Sequence, residues 1–153
     1  MAELKERLHS DMVASLKARD SVRTSTLRMV LTAITEAEVA GKSAKELTAE
    51  QELDVVVKEA KKRREAEEAY TEAGRSDLAE KEHAEAGVLA EYLPQQLGAD
   101  EIAELVRQAI AETGAAELGP RGIGKVMGVL TPKTKGKADG GAVAAEVKRQ
   151  LTA

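Results

Sequence analysis

Between Gly119 and Ala138 the chain carries five cations, Arg121, Lys125, Lys133, Lys135 and Lys137, and no carboxylate. No other stretch of this length is so one-sided, and the chemistry it suits is the holding of phosphate. Two helix starts are expected in or beside it, near Arg121-Gly122 and at Gly140-Gly141, and the free N–H groups at a helix start attract anions. Asp139 opposes the second of these, because its carboxylate would occupy those donors. The run Lys133-Thr134-Lys135-Gly136-Lys137 reads as a loop whose lysines can follow a phosphate backbone; a plain solvated loop is the other reading. Tyr70 and Tyr92, the only aromatic residues, lie far away in sequence, so stacking on unpaired bases is not expected. Any target would be gripped by backbone and shape, as folded RNA is.

Other spacings invite chemistry and fare worse. Gly119-Pro120-Arg121-Gly122-Ile123-Gly124-Lys125 fits the opening of a phosphate loop, but Val126 stands where Ser or Thr would hold magnesium, and no strand is expected before it. Glu6-x-x-His9 and Glu80-x-x-His83 match the Glu-x-x-His of di-iron bundles, whose ligands must point inward. Glu6 falls about 140° from the centre of its helix's apolar stripe at roughly 100° per residue, and Glu80 lies about as far from its own. Both motifs therefore read as surface features, and no metal or cofactor is expected. Without cysteine there is no disulfide, thiolate zinc site or cysteine nucleophile. The remaining Ser, Lys and carboxylates form no catalytic constellation. Whether the chain is an enzyme is left open at this level.

The elements that must position these residues are helical. The composition is 42% hydrophobic and only 1% aromatic, a mixture that favours helix over strand. Leu4, Leu8, Met12 and Leu16 recur every fourth residue and predict one helix face. A second helix starts near Asp20 or Ser21, buries Leu27, Val30, Leu31 and Ile34, and stops before Gly41. Thr48-Ala49-Glu50-Gln51 has the form of a capping box and opens a third, with Leu53, Val56, Val57 and Ala60 inward. Gly74 breaks it, Ser76 or Asp77 restarts the chain, and a fourth helix carries Leu78, Ala86, Leu89 and Leu93 to Pro94. Folding back at Gly74 sets Arg64 opposite Glu82 and Glu85, with Arg64, Glu67 and Glu82 inward as a projecting hairpin tied by ion pairs. Arg23 is the other candidate partner for Glu82. Lys61-Lys62-Arg63-Arg64 winds round a full turn, and Lys61–Glu65, Arg63–Glu67 and Arg64–Glu68 are i,i+4 pairs that answer much of its charge.

Pro94-Gln95-Gln96-Leu97-Gly98 is the expected boundary between a four-helix domain, residues 1–97, and a three-helix domain, residues 98–153. The first carries 15 basic and 20 acidic residues and the second 8 and 7. In the second, Ile102, Leu105, Val106, Ala109 and Ile110 mark a helix ending at Gly114. Ile123, Val126, Met127 and Leu130 mark another, stopped by Pro132. Val143, Val147 and Leu151 mark the last, capped by Asp139. The fold expected is all-α. No apolar run approaches the roughly 20 residues of a membrane span, and the first residues lack a signal-peptide core, so a cytoplasmic protein is expected. A net charge of −4 argues against non-specific coating of nucleic acid, leaving a local patch as the means of binding any.

Taken together, the chain resembles the YqeY-like (GatB/YqeY) family. The matching residues are Arg23 through Leu27-Arg28, Arg64 with Tyr70, Gly74-Arg75-Ser76-Asp77-Leu78 with Glu82 and Glu85, and Tyr92-Leu93-Pro94-Gln95-Gln96-Leu97. Further on they are Gly124-Lys125-Val126-Met127-Gly128 and Lys135-Gly136-Lys137-Ala138-Asp139-Gly140. Thr131 stands where the family often has an apolar residue. The resemblance implies a second domain similar to the tail of the B subunit of the tRNA-dependent amidotransferase, a carbon–nitrogen ligase with glutamine as amido-N-donor. That tail touches the tRNA body and does no chemistry; nothing in this chain matches the enzyme's amidase or ATP-using parts. By this resemblance Lys125, Gly128, Lys135, Gly136, Lys137 and Ala138 are tRNA-facing candidates, and Arg121 and Lys133 join them on charge alone. The partners implied are tRNA and an amidotransferase or other protein. The alternative is a protein-interaction adaptor acting through the hairpin with Arg63, Arg64 and Arg75.

Overall fold

The computed structural model of the chain describes residues 3–153. The described residues form seven α-helices and no strand, an all-α fold. Their contacts divide the chain into two compact units, one ending at Leu93 and one spanning Pro94–Ala153.

The first unit contains α1 (Glu3–Lys17), α2 (Ser21–Val39), α3 (Ala49–Glu72) and α4 (Ser76–Ala90). Asp20 caps α2 by accepting the Arg23 N–H, and Thr48 and Gln51 form the reciprocal box that opens α3. Gly74, with φ of 73°, turns α3 back onto α4 in a left-handed conformation that costs glycine little. Leu8, Leu27, Val30, Ile34, Val56 and Leu89 are completely buried at the centre. Leu16 does not join them; it is 55% exposed. Four-residue steps overshoot the 3.6-residue turn by about 40° each, so by Leu16 the stripe has rotated off the core. Ser15 takes the inward place instead, its hydroxyl 2.8 Å from that of Thr24 on α2.

Two buried polar groups in this unit have no signal in the sequence pattern. Glu52, only 1% exposed, accepts the Lys5 N–H, while Lys5 Nζ pairs with Glu38 at 2.9 Å. Burial pushes the Glu52 carboxyl above the ordinary carboxylate range. Tyr92, just past α4, buries its ring and donates its hydroxyl to Asp11 on α1. Arg23 of α2 donates to the same oxygen at 3.2 Å and pairs with Glu91, and the Arg7 guanidinium lies 4.6 Å over the ring. Glu91 thus has the claim on Arg23 that the sequence left open to Glu82. Burial, then the Asp11 hydrogen bond, raises the Tyr92 phenol well above its usual value.

The second unit begins with Pro94–Leu97, which the sequence pattern places at the end of the first domain. This segment is held inside the unit: the Leu97 N–H donates to the Lys137 carbonyl at 2.8 Å, and Gln96 Nε2 donates to that of Gly136, also at 2.8 Å. Then come α5 (Ala99–Thr113), α6 (Ile123–Thr134) and α7 (Gly140–Thr152). Gly114, with φ of 68°, closes α5, and Asp139 caps α7 through the Ala142 N–H. A 3-10 segment, Ala115–Gly122, bends at Gly119 and lies outside the expected helices. Gly122 within it packs so closely that an added Cβ would lie 2.9 Å from Ala115. Pro132 does not stop α6, which runs on to Thr134. In the last turn its missing N–H frees only the carbonyl of Gly128, an exposed residue. Val106, Val126, Leu130, Val143 and Val147 form the fully buried core.

Tyr92→Phe keeps the ring on Arg7 but leaves Asp11 and Arg23 without the bridging hydroxyl. The variant is expected to lose about 1–2 kcal/mol in urea unfolding followed by circular dichroism, with helix content unchanged. A variant as stable as the parent would remove the Tyr92 node as a stability determinant.

Candidate functional site

The five cations are all exposed. Arg121 lies at the end of the 3-10 segment, and Lys125 and Gly128 follow one another along an exposed side of α6. Lys133 is in the last turn of α6, its Nζ 3.9 Å from Glu112 Oε2 on α5. Lys135 and Lys137 stand on the short turn into α7. The loop expected from Lys133 is therefore helical through Thr134, which is buried, and the turn proper begins at Lys135.

Gly136 and Ala138 play different parts from their neighbours. Gly136 is buried with φ of 75°, so it supplies the left-handed bend that swings Lys135 and Lys137 outward. Ala138 is half-buried against the core of the unit. The turn is pinned by the bonds from Gln96 and Leu97, and by the Lys137 and Ala138 N–H groups donating to the Thr134 carbonyl. Asp139 occupies the start of α7, as its position in sequence implied. The phosphate-loop reading fails on geometry: Gly119 and Gly122 belong to a 3-10 segment, and Gly122 is buried against Ala115.

The hairpin corrects the sequence reading by one residue. Arg63, not Arg64, turns inward and meets Glu82 and Glu85 of α4, each at 3.3 Å. The inward line on α3 runs Val56, Ala60, Arg63, Glu67, because a 3.6-residue period alternates steps of four and three. Arg64 is exposed, and Arg75 is exposed beside Asp77 at 3.2 Å. Of the three adaptor candidates, Arg63 is thus consumed inside the hairpin. Lys61–Glu65 is present at 4.0 Å, whereas Lys62 pairs with the buried Glu59 at 2.9 Å. Two carboxylates share one guanidinium at this point, and Arg63 Nε and Glu82 Oε2 are buried without hydrogen-bond partners. Burial raises the Glu82 carboxyl above its ordinary range, Arg63 opposes the shift, and Glu85 adds to it.

Glu6, His9, Glu80 and His83 are all exposed, and His83 bonds Glu67 at 2.9 Å rather than Glu80. Near Gly74 a cleft of about 440 Å³ is lined by Glu67, Thr71, Ser76, Glu80 and His83 among others. It carries two carboxylates and no Lys or Arg, so it does not suit a phosphate ligand. Among the described residues no group of three His, Asp or Glu side chains is placed to hold a metal ion. No helix of the described residues is long and apolar enough to cross a membrane.

The architecture is that of a helical hairpin unit followed by a small helical unit with a basic turn. The family described as "Yqey-like protein" matches this chain over residues 5–151. The chain belongs to that family. A comparison with curated proteins gives no match.

Arg63→Ala would leave Glu82 and Glu85 facing each other without a counter-charge, so a loss of about 3 kcal/mol is expected in urea unfolding. Arg64→Ala is expected to stay within about 0.5 kcal/mol of the parent. An exchange of the two losses would mean that Arg64, and not Arg63, holds the hairpin. Glu82, its carboxyl raised by burial, binds its proton more tightly folded than unfolded. Its contribution is therefore fully present below the unfolded value and declines as pH rises through the folded one. Glu82→Gln should consequently gain stability relative to the parent as pH rises from about 4 to about 7. A pH-independent difference between the two melting curves would contradict this.

Proposed function

We propose that this chain is a non-catalytic RNA-binding module related to glutamine-dependent tRNA amidation. In this reading its second unit grips tRNA as the similar tail of the amidotransferase B subunit touches its tRNA body. The observation that carries the reading is the exposure of Arg121, Lys125, Lys133, Lys135 and Lys137 in a segment without carboxylates. The pinned turn at Gly136 adds to it, because a rigid turn presents its lysines with little ordering left to do on binding. Lysine and arginine contacts to phosphate are sequence-independent, which suits recognition of a folded RNA by shape. The glutamine-dependent ligase chemistry is assigned to a partner enzyme and not to this chain.

Retention of tRNA on a filter at about 50 and about 200 mM salt tests this, because displaced counterions make affinity fall steeply over that range. The comparison is with Lys133→Glu/Lys135→Glu/Lys137→Glu, checked for helix content by circular dichroism. Steep salt dependence in the parent and loss of binding in the folded variant are expected. Absence of tRNA binding by the parent at low salt would overturn the proposal, and salt-tolerant binding indifferent to these lysines would turn attention to a protein partner.

A further inference from the structure

The first unit holds a second cationic feature, remote in sequence from the lysine turn. Where α1 gives way to α2, a cleft of about 360 Å³ is lined by Leu16, Arg19, Ser21, Thr24, Ser25 and Arg28. Its charged groups are two guanidiniums, and its lining contains no carboxylate. Arg7, Arg23, Arg63, Arg75, Arg107 and Arg149 each lie against an acidic side chain. Arg19 and Arg28, like Arg64 and Arg121, have no such partner among the described residues, and Arg19 and Arg28 are brought to one cleft. Asp20, the nearest carboxylate in sequence, is engaged at the start of α2 with the Arg23 N–H at 3.1 Å.

The other groups suit the same kind of ligand. Ser21, Ser25 and Arg28 are exposed and recur at steps of four and three on one side of α2; Thr32 and Thr35 continue that line beyond the cleft, their hydroxyls donated to the Arg28 and Leu31 carbonyls. Thr24 is spent internally, on the Asp20 carbonyl and Ser15, and Ser25 leans on the Val22 carbonyl at 3.2 Å. The Ser21 hydroxyl has no partner among the described residues. Leu16, displaced from the core by the drift of its stripe, forms an apolar wall at 55% exposure. Guanidinium pairs bind phosphate through forked, charge-assisted hydrogen bonds, and a neighbouring hydroxyl can supply a further donor.

We propose that the Arg19–Arg28 cleft is a phosphate-ester site, with the two guanidiniums and the Ser21 hydroxyl holding the phosphate and Leu16 the apolar part of the ligand. The phosphate comes either from a free nucleotide or from an RNA strand. The site does not depend on the lysine turn of the second unit and stands or falls separately from it.

The test is a titration of the full chain with adenosine monophosphate and, separately, with a short single-stranded RNA, read by backbone amide NMR shifts. The comparison is with Arg19→Gly/Arg28→Gln. Arg19 has φ of 60°, which glycine adopts more readily, and Arg28 is exposed, so this variant should melt no lower than the parent. Shifts are expected at Ser21, Val22 and Ser25, and binding read at these amides, which the lysine turn does not report, is expected to be at least about tenfold weaker in the variant. Shifts with the mononucleotide identify a free phosphate monoester as sufficient, and shifts with the RNA alone identify a backbone phosphodiester. No shift at these amides with either probe, or equal binding by the variant, would overturn the proposal. The Lys133→Glu/Lys135→Glu/Lys137→Glu protein should retain these shifts while losing tRNA, which separates failure of this site from failure of the tRNA reading.

Discussion

A hydroxyl on a buried ring must find hydrogen-bond partners, and in a chain with no Phe or Trp that requirement organises the first unit. Tyr92 is the one aromatic residue in the core, and its oxygen gathers Asp11 from α1 and Arg23 from α2. Glu91 completes the cluster by pairing with Arg23, and Arg7 covers the ring. Three helices are thereby referred to a single point. The rest of the core is aliphatic and directional only through its packing, so this polar node supplies orientation that Leu, Ile and Val do not.

The same unit shows how far a helix period carries a prediction. Stepping by four from Leu4 reaches Leu16, and stepping by four from Ala60 reaches Arg64, yet Ser15 and Arg63 are the residues that turn inward. Each error is one residue: at Leu16 the difference between 4 and 3.6 accumulates over three steps, and at Arg63 the step inward from Ala60 is one of three and not of four. Its consequences differ. At Arg63 the displacement moves the guanidinium of the hairpin from a surface role to the centre of an ion cluster. At Leu16 it moves an apolar side chain out of the core and into the wall of a cationic cleft.

In the second unit the small residues between the cations of the basic segment do much to shape the turn. Gly136 bends, Ala138 packs, and the Gln96 and Leu97 bonds fasten the turn on which Lys135 and Lys137 stand. Gly122 permits the close approach to Ala115 that lets the 3-10 segment run into α6. Scaffold and cations alternate along the chain, so the cations can be changed without touching the packing beneath them.

The sequence by itself determined the helix-only architecture, the caps at Asp20, Thr48 and Asp139, the breaks at Gly74 and Gly114, and the family. These are local properties: a side chain bonds an N–H two or three residues away, and a glycine adopts a positive φ on its own account. The run of cations from Arg121 to Lys137 was legible for the same reason, since charge is counted without knowing the fold. Tertiary structure decided what depends on a neighbouring helix. It set which arginine met Glu82 and Glu85, and it brought Asp11 to Tyr92, 81 residues away. It buried Glu52 against the Lys5 N–H. It also brought Arg19 and Arg28 to one cleft. Periodicity yields a face only to within the drift of its period, and a buried polar group takes its partner from whichever element packs beside it.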